Sequence, residues 1–556
     1  MSRRDPLGTP YQEGFLAELR ALQREFPKTL VQVARVSLNG DLLRVRLRLA
    51  TRSMSRSPGG MKANDSEDLV VLIPSTPFAP PIVGVTHDRF LGVPHALSDG
   101  QLCVYLDPTR EWNPLGGARG FLDRLFRWFE DALAARFNPD TALFHAVGGL
   151  QFSHGNVGPV VCREEFDDPR PLSLAWLSRT GAGARLDLHR AQRHQDDEQV
   201  LVLRMPEPLY TGAGRSVYEV LRELGDLDGA PALRAWQGRV ERRRRDQSPY
   251  VHLIVNVPHP TSPATSLLVG RVDLQGDANV QAFRDRHIEW CRLYDERPSI
   301  STRRDKDRPV NAFHQSDVVL LGCGGLGSWI GEYVVRAGCR SIELVDYGVV
   351  GGGLLVRQNF TEADVTDAKV SALAERLRTI NPDLKVTESV GSTLSLGALA
   401  VLTGGGFIID ATVSRAMATY LSLLDVGSYG RRALVAQVAT DVGTGSLGMV
   451  VVAAPGTEVP TVDAAAGAQV TATGALEAYR TFWEPSEDDE LVPARGCSVP
   501  TFHGSAADLA AVAAVQTNII GRHADQETSG TYLFALPHAG VVPGYAFLPH
   551  LSDASG

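Results

Sequence analysis

Paired cysteines are missing from this sequence. The chain of 556 residues has six cysteines, Cys103, Cys162, Cys291, Cys323, Cys339 and Cys497, and none forms a C-x-x-C pair. A structural zinc site therefore has no ligand pattern to stand on. Scattered single thiols point to a reducing, cytoplasmic setting, where each is either inert packing or a reactive group. Excess positive charge is missing too. The formal net charge is −9, which gives no reason to expect nucleic acid as a partner. The one dense basic block, Arg242–Arg245, reads as a solvated helix face or a loop. No apolar run is long enough to span a bilayer, so no membrane partner is expected. The opening MSRRDPLGTPYQEGF has no apolar h-region, so no secretory signal is expected either. No internal repeat is visible.

What is present is ordinary globular material, 44% hydrophobic and 21% charged, enough for a core in each of several domains. Three blocks are expected, at 1–150, 151–302 and 303–556. In the first, GFLAELRALQREFP has helical spacing. TLVQVARVSLNG and DLLRVRLRLAT alternate as a hairpin across NGD, and LVVLIP reads as a strand. TRSMSRSPGGMKANDSED reads as a mobile polar loop. GFLDRLFRWFEDALAARF is an amphipathic helix that closes the block. The second block mixes strands (VLVLRMP, VHLIVNVP) with expected helices (SVYEVLRELGDL, VQAFRDRHIEWCRLYDE) and shows no readable function. In the third, strand, glycine turn and helix alternate as in a doubly wound α/β sheet. The expected fold class is multidomain α+β and α/β.

The strongest local signal is SDVVLLGCGGLGSWIGEYVVRAGCRSIELVDYG. A buried strand meets a turn in which Gly322, Gly324, Gly325 and Gly327 let the backbone approach a phosphate, at a helix N-terminus. A second strand ends on Asp346, where a carboxylate can accept ribose hydroxyls. Alone, this motif favours a dinucleotide-dependent dehydrogenase. The following residues argue otherwise. Arg357 and Gln358 come next, Lys369 lies on the next helix, and GGGFIIDATVSR ends a strand on Asp410. One Arg, one Lys and one Asp around a glycine loop suit ATP with Mg²⁺, the cations facing phosphates and Asp410 the metal. Cys323 and Cys339 lie inside this strand–turn–helix unit and read as packing.

In this order, glycine loop, Asp, Arg-Gln, Lys and strand-end Asp resemble the adenylation domain of the ubiquitin-activating superfamily, including the ThiF-type sulfur-carrier adenylyltransferases, over about 310 to 550. The resemblance implies attack of a protein C-terminal glycine carboxylate on ATP. Asp346 would bind ribose, Arg357 and Lys369 the phosphates, and Asp410 Mg²⁺. It also implies a dimer through this domain, with an Arg from upstream of the loop: Arg303, Arg304 or Arg308. The sequence departs from the family at Gly348, Leu354, Val413 and Ser414, where the family usually has Asp or Asn. Cys497, in LVPARGCSVPTFHGSAADLAAVAA, stands on a loop before a helix, a setting that can lower a thiol pKa. It matches the loop that in this superfamily takes the acyl group from the adenylate.

A chain that makes a thioester needs a destination for it. TPFAPPIV followed by VPHALSDGQLCVYLDPTREWNP resembles the ubiquitin-conjugating fold over about 10 to 140. Pro94 matches the family's Pro, His95 its Asn, Cys103 its acyl-accepting Cys, and Trp112 and Pro114 its Trp-x-Pro. An amine attacking a thioester generates an oxyanion that a donor must meet. His95 is placed to donate to it or to deprotonate the amine, and the sequence leaves both roles open. Trp112 reads as packing. The order of domains is similar to that of the bacterial fusion enzymes of antiphage cyclic-oligonucleotide (CBASS) operons. That resemblance implies conjugation of the C-terminus of a cGAS-like nucleotidyltransferase to lysine amines of target proteins, and a middle block like a degenerate adenylation domain. A true ubiquitin-like protein as cargo, sulfur-carrier adenylation, and a non-catalytic scaffold are the alternatives.

Overall fold

A computed structural model describes residues 8–90, 93–97, 100–137, 159–180, 185–209, 216–259, 263, 265–275, 286–301, 304–391, 400–401, 403–412, 414–426, 430–484, 504–524 and 528–550. The chain divides into two compact units, Met1–Thr302 and Arg303–Gly556.

The first unit opens with α1 (Pro10–Glu25), which starts at a Pro in its first turn and a Thr9–Gln12 capping box. Phe15, Leu16, Leu19 and Leu22 form its buried face. It packs on an antiparallel sheet of β1 (Leu30–Asn39), β2 (Leu42–Ala50), β3 (Ser66–Pro74), β4 (Ile82–Gly84) and β5 (Gln101–Leu102), paired in sequence order. Gly40 takes a positive φ of 56° between β1 and β2, as the NGD turn requires. Leu43, Val45, Leu47 and Leu49 on β2 alternate inward against Leu69, Val71 and Ile73 on β3. After the short α2 (Pro108–Glu111), α3 (Gly117–Leu133) buries Phe121, Leu122, Leu125, Trp128 and Phe129.

The segment expected to be mobile, 51–68, is instead pinned at both ends and in its middle. Its last residues begin β3. Met54 and Met61 are buried, and the backbone N–H groups of Ser57 and Met61 donate to Leu133 and Ala132 at the end of α3. Two methionines in a polar stretch supply the anchors that composition alone hides.

A second sheet in this unit contains β6 (Val160–Cys162), β7 (Leu172–Arg179), β8 (Leu186–His189), β9 (Glu198–Arg204), β10 (Tyr250–Pro258), β11 (Thr265–Asp273), β12 (Glu289–Trp290) and β13 (Leu293–Asp295). Their order is β12-β11-β10-β9-β7-β8-β6-β13, so the first and last strands of the segment, β6 and β13, lie side by side and parallel. One face is covered by α4 (Val217–Arg222) and α5 (Gly225–Arg245), whose Trp236 and Val240 pack on Leu253 and Val255. Arg242–Arg245 form the last turn of α5. The helix expected over VQAFRDRHIEWCRLYDE is not found in its described part, 286–296, which carries β12 and β13. Cys291 and Leu293 are buried while Arg292 and Tyr294 are exposed, a period of two that selects a strand.

The second unit is built on one sheet of eight strands: β14 (Asp317–Leu321), β15 (Ser341–Asp346), β16 (Lys385–Val390), β17 (Phe407–Asp410), β18 (Leu434–Thr440), β19 (Leu447–Ala453), β20 (Ser529–Ala535) and β21 (Tyr545–His550). The order is β16-β15-β14-β17-β18-β19-β20-β21. The first five are parallel and the last three antiparallel. The helices α6 (Gly327–Arg336), α7 (Lys369–Ile380) and Ala506–His523 share one face, with Ile330, Leu373 and Val512 in a common core. Arg415–Val426 and Val459–Ala472 share the other, through Met417, Leu421 and Val462. The fold is doubly wound, as expected. The strand order reverses around β14, and in such sheets the crevice beyond the carboxyl ends of the strands at that point takes ligands.

Candidate functional site

In the second unit, the carboxyl ends of β14, β15 and β17 bring the glycine turn, Asp346 and Asp410 together. Gly322 has φ of 85°, and a Cβ there would lie 3.0 Å from the Ala411 carbonyl group, so glycine serves both the turn and its contact with the end of β17. Gly327 opens α6, and a Cβ there would lie 1.8 Å from Gly322 O. Gly327→Ala is therefore expected to lower the thermal unfolding midpoint by about 6 °C or more, from a backbone displacement costing about 3 kcal/mol; scanning fluorimetry would measure it. At Gly324, by contrast, a Cβ would meet nothing within 4 Å, so this position leaves open space over the turn. Gly325 is buried.

Asp346 ends β15 and fastens the turn. Its Oδ2 accepts from Cys323 N at 2.7 Å and its Oδ1 from Gly348 N at 2.6 Å. Lys369, the first residue of α7, lies over the same corner. Any Cβ at position 348 would sit 3.3 Å from its Cε and Nζ and 3.0 Å from Asp346 Oδ1. Gly348 thus leaves room beside the Lys369 stem. The Lys369 ammonium has no ion-pair partner among the described residues, which suits it to a phosphate.

Arg357 and Gln358 follow the one-turn helix Gly352–Leu354, whose Leu354 carbonyl accepts from the N–H of both. Gln358 is buried, and its Oε1 has no partner among the described residues. The loop is tied to α6 by a residue that no sequence motif marks, Asn359. Its N–H donates to Ser328 Oγ at 3.0 Å and its Nδ2 to Glu332 Oε2 at 2.7 Å. Burial opposes the Glu332 charge, but bonds from Asn359, Arg376 and Arg336 outweigh it and hold the carboxyl below its ordinary range. Trp329 Nε1 also donates to Arg357 O at 3.4 Å.

Asp410 is 1% exposed at the end of β17. Its Oδ1 accepts from Thr412 N at 2.9 Å and Thr412 Oγ1 at 2.5 Å, and its Oδ2 from Gln437 Nε2 at 3.1 Å. Gln437, on β18, is a second residue that the sequence motifs do not reveal. No cation pairs with Asp410 among the described residues, and burial pushes its pKa up. Buried carboxylates are normally paired. One carboxylate at the strand edge that carries the glycine turn fits Mg²⁺, which is bound through one or two carboxylates plus substrate phosphates. Groups of three or more metal-binding side chains are absent among the described residues, as that mode allows. The orphaned Gln358 Oε1 and the unpaired Lys369 also fit a nucleotide. Ser414, a family departure, caps the helix that follows by accepting from Met417 N at 3.2 Å. Arg304 and Arg308 are exposed. Cys497, Arg303 and Val413 lie outside the described residues.

In the first unit, Cys103 follows β5 directly. Its N–H donates to His95 O at 2.8 Å, and its thiol to Tyr105 O at 3.4 Å. It is half-buried, unlike Cys162, Cys291, Cys323 and Cys339, which are buried. Burial raises its pKa, the Glu111 carboxylate adds to the rise, and the Arg124 guanidinium opposes it. His95 takes a left-handed φ of 65°, a region where Asn, Asp and His are enriched. His is thus a residue type that this backbone accommodates. The residue is 5% exposed, its ring lies edge-on to Phe137 at 4.7 Å, and its Nδ1 has no partner among the described residues. Burial lowers its pKa, which keeps it neutral near pH 7. Trp112 Nε1 donates to Pro77 O at 2.8 Å and its ring packs against Tyr105 at 5.9 Å, a packing role. No helix among the described residues is long and apolar enough to cross a membrane.

Comparison with known proteins matches two stretches of the chain. Residues 301–515 match the ThiF family and residues 19–148 match prokaryotic E2 family A. The adenylyltransferase and sulfurtransferase MOCS3 of Arabidopsis thaliana is 35% identical over 99 residues, 18% of this chain and 21% of that protein. The sulfur carrier protein ThiS adenylyltransferase of Bacillus subtilis is 34% identical over 100 residues, 17% of this chain and 30% of that protein. The ATP-dependent ubiquitin transferase-like protein Cap2 of Enterobacter hormaechei subsp. hoffmannii is 26% identical over 250 residues, 44% of this chain and 38% of that protein. The match thus spans well under half the length of each of these relatives.

Proposed function

We propose that this chain, which joins a prokaryotic E2-type domain to a ThiF-type adenylation domain, is an ATP-dependent protein-conjugating enzyme. The observation that carries the reading is the occurrence in one chain of a half-buried thiol after the short β5 and a phosphate turn beside an unpaired buried aspartate. The cargo is the C-terminal glycine of a protein, a cGAS-like nucleotidyltransferase of an antiphage operon in the first instance. The Cap2 likeness, with its transferase-like name, supports ATP-dependent transfer of a protein group; the choice of cargo rests on the domain order alone.

The chemistry runs in four balanced steps. The terminal carboxylate oxygen attacks the α-phosphorus of ATP and pyrophosphate leaves. The Cys497 thiolate attacks the acyl carbon and AMP leaves. The Cys103 thiolate takes the acyl group and the Cys497 thiolate leaves. A lysine amine attacks the Cys103 thioester, the thiolate leaves, and the amine proton passes to a base. Splitting amide synthesis in this way replaces one hard step by easier ones. Asp410 would hold Mg²⁺, which supplies neutralising charge at the phosphates. Asp346 would take the ribose hydroxyls, and Arg357, Gln358 and Lys369 would line the nucleotide. His95, neutral at the start, would serve as oxyanion donor or as base. A homodimer through the adenylation domain is part of the reading.

The test is non-reducing mass spectrometry after incubation with ATP and candidate glycine-ended proteins. A thiol-labile adduct on Cys497 and then Cys103 is expected. An adenylate that forms without any thiol-labile adduct would remove the relay. The MOCS3 and ThiS relatives favour a second reading, adenylation for sulfur transfer. It leaves the E2-type domain without a task, and a thiocarboxylate product would reveal it.

A further inference from the structure

The segment that runs out from Cys103 is held from two sides by one ion pair. Glu111 is the last residue of α2, and its Oε2 accepts from Leu106 N at 3.1 Å. The same oxygen accepts from Arg124 Nη2 at 2.6 Å. Arg124, on α3, also donates through Nε to Val104 O at 3.1 Å, and its guanidinium carbon lies 5.8 Å from the centre of the Tyr105 ring. Val104 is the residue after the cysteine, and the carbonyl of Tyr105 receives the Cys103 thiol proton. Every residue from Cys103 to Leu106 therefore touches this pair or is bonded to one that does.

We propose that Glu111 and Arg124 are positioning residues for Cys103: a charged clamp that fixes the Cys103–Leu106 segment between α2 and α3 and brings one charge of each sign to the segment that carries the sulfur. The proposal rests on the reading of Cys103 as the acyl carrier, and it adds to that reading the residues that set the sulfur's surroundings. The two side chains remain 29% and 37% exposed. Ion pairs with that much water access contribute little to folding. The pair's role is therefore sought at the segment it holds rather than in the stability of the domain. The carboxylate opposes ionisation of the thiol and the guanidinium favours it, the directions found for this cysteine. Of the other ionisable groups on the surrounding elements, α3 also carries Arg119, Asp123, Arg127, Glu130 and Asp131, and α1 carries Tyr11. His95 is held neutral by burial. Tyr105 is pushed up to about 12, by burial first. Asp107 and Arg110 pair with each other at 3.3 Å. A thiol that is hard to ionise is a poorer leaving group, so an acyl group on it turns over more slowly with water and amine alike.

The experiment is alkylation of the full-length chain by iodoacetamide across a pH series, read at the Cys103 peptide by mass spectrometry. The rate follows the thiolate fraction. In Glu111→Gln the midpoint is expected to fall, with alkylation near neutral pH about threefold faster. In Arg124→Gln it is expected to rise, with alkylation about threefold slower. Arg124→Lys keeps the charge and should keep the midpoint. A merely structural clamp would move both substitutions the same way, by exposing the sulfur. Shifts in one direction, or no shift, would overturn the proposal. Should Arg124→Gln fail to fold, the fall in Glu111→Gln together with an unchanged midpoint in Arg124→Lys decides the matter, and absence of that fall counts against it. Alkylation does not depend on acyl transfer. Opposite shifts combined with normal conjugation by Cys103→Ala would therefore uphold the clamp while removing the carrier role.

Discussion

Cys103→Ala is expected to reduce amide product by about 10³-fold or more, because the last thioester then has no sulfur to form on. Pyrophosphate exchange with ATP should stay within about twofold of the parent, since that reaction is confined to the adenylation domain. The acyl group should accumulate on Cys497 and be released by thiol reductant. The half-buried setting of Cys103 makes this a clean comparison. The substitution removes one sulfur whose only side-chain hydrogen bond among the described residues is to Tyr105 O, so folding should change little. Intact-mass measurement and exchange of labelled pyrophosphate would read both sides. Product formed at the parental rate would show that Cys103 is not on the path.

The second large effect belongs to Asp410. Asp410→Asn is expected to lower pyrophosphate exchange by about 10²-fold or more, through loss of the carboxylate proposed to hold the metal. The same substitution should raise the thermal midpoint of the nucleotide-free chain by about 2–4 °C. The sign follows from burial. Folding raises the Asp410 pKa above its unfolded value. The folded state then binds the proton more tightly, and stability falls as pH rises from the usual carboxylate range through the folded value. Near neutrality the parent carries that penalty and the Asn variant does not. The stabilising difference should shrink toward acid pH. Scanning fluorimetry with and without Mg·ATP should show ligand stabilisation of the parent and a much smaller shift for the variant. A destabilised variant with normal exchange would show that Asp410 is an ordinary buried residue.

Much of the cradle is legible in the amino-acid sequence, because its signals are local. Apolar runs ending in a carboxylate, SIELVD and FIID, mark strands delivering Asp346 and Asp410 to one edge. A glycine-rich turn between an apolar strand and a helix needs only its own residues to declare itself. The NGD hairpin, the face of α1 and the face of α3 are legible for the same reason. Asn359 and Gln437 are not legible, because their roles exist only in space. Gln437 reaches Asp410 across 27 positions of sequence, and Asn359 matters through a glutamate on the preceding helix. The helix α5 is hidden by Gly225, Gly229, Pro231 and Gly238, all poor helix formers. Tertiary burial of Ala232, Trp236 and Val240 at a spacing of four overrides them. The 286–296 segment misleads because its apolar residues fit a helix nearly as well as a strand, and only pairing to β11 and β6 decides.

The adjacency of β6 and β13 has a consequence for how such a chain can be rebuilt. A module whose first and last strands are neighbours takes in and returns the polypeptide at places within roughly 10 Å of each other. It can be exchanged for another, or cut out and bridged by a few glycines and serines, without pulling apart the points where its neighbours are tethered. Swapping 160–295 for an unrelated module with equally close ends would separate what that stretch recognises from what it merely connects.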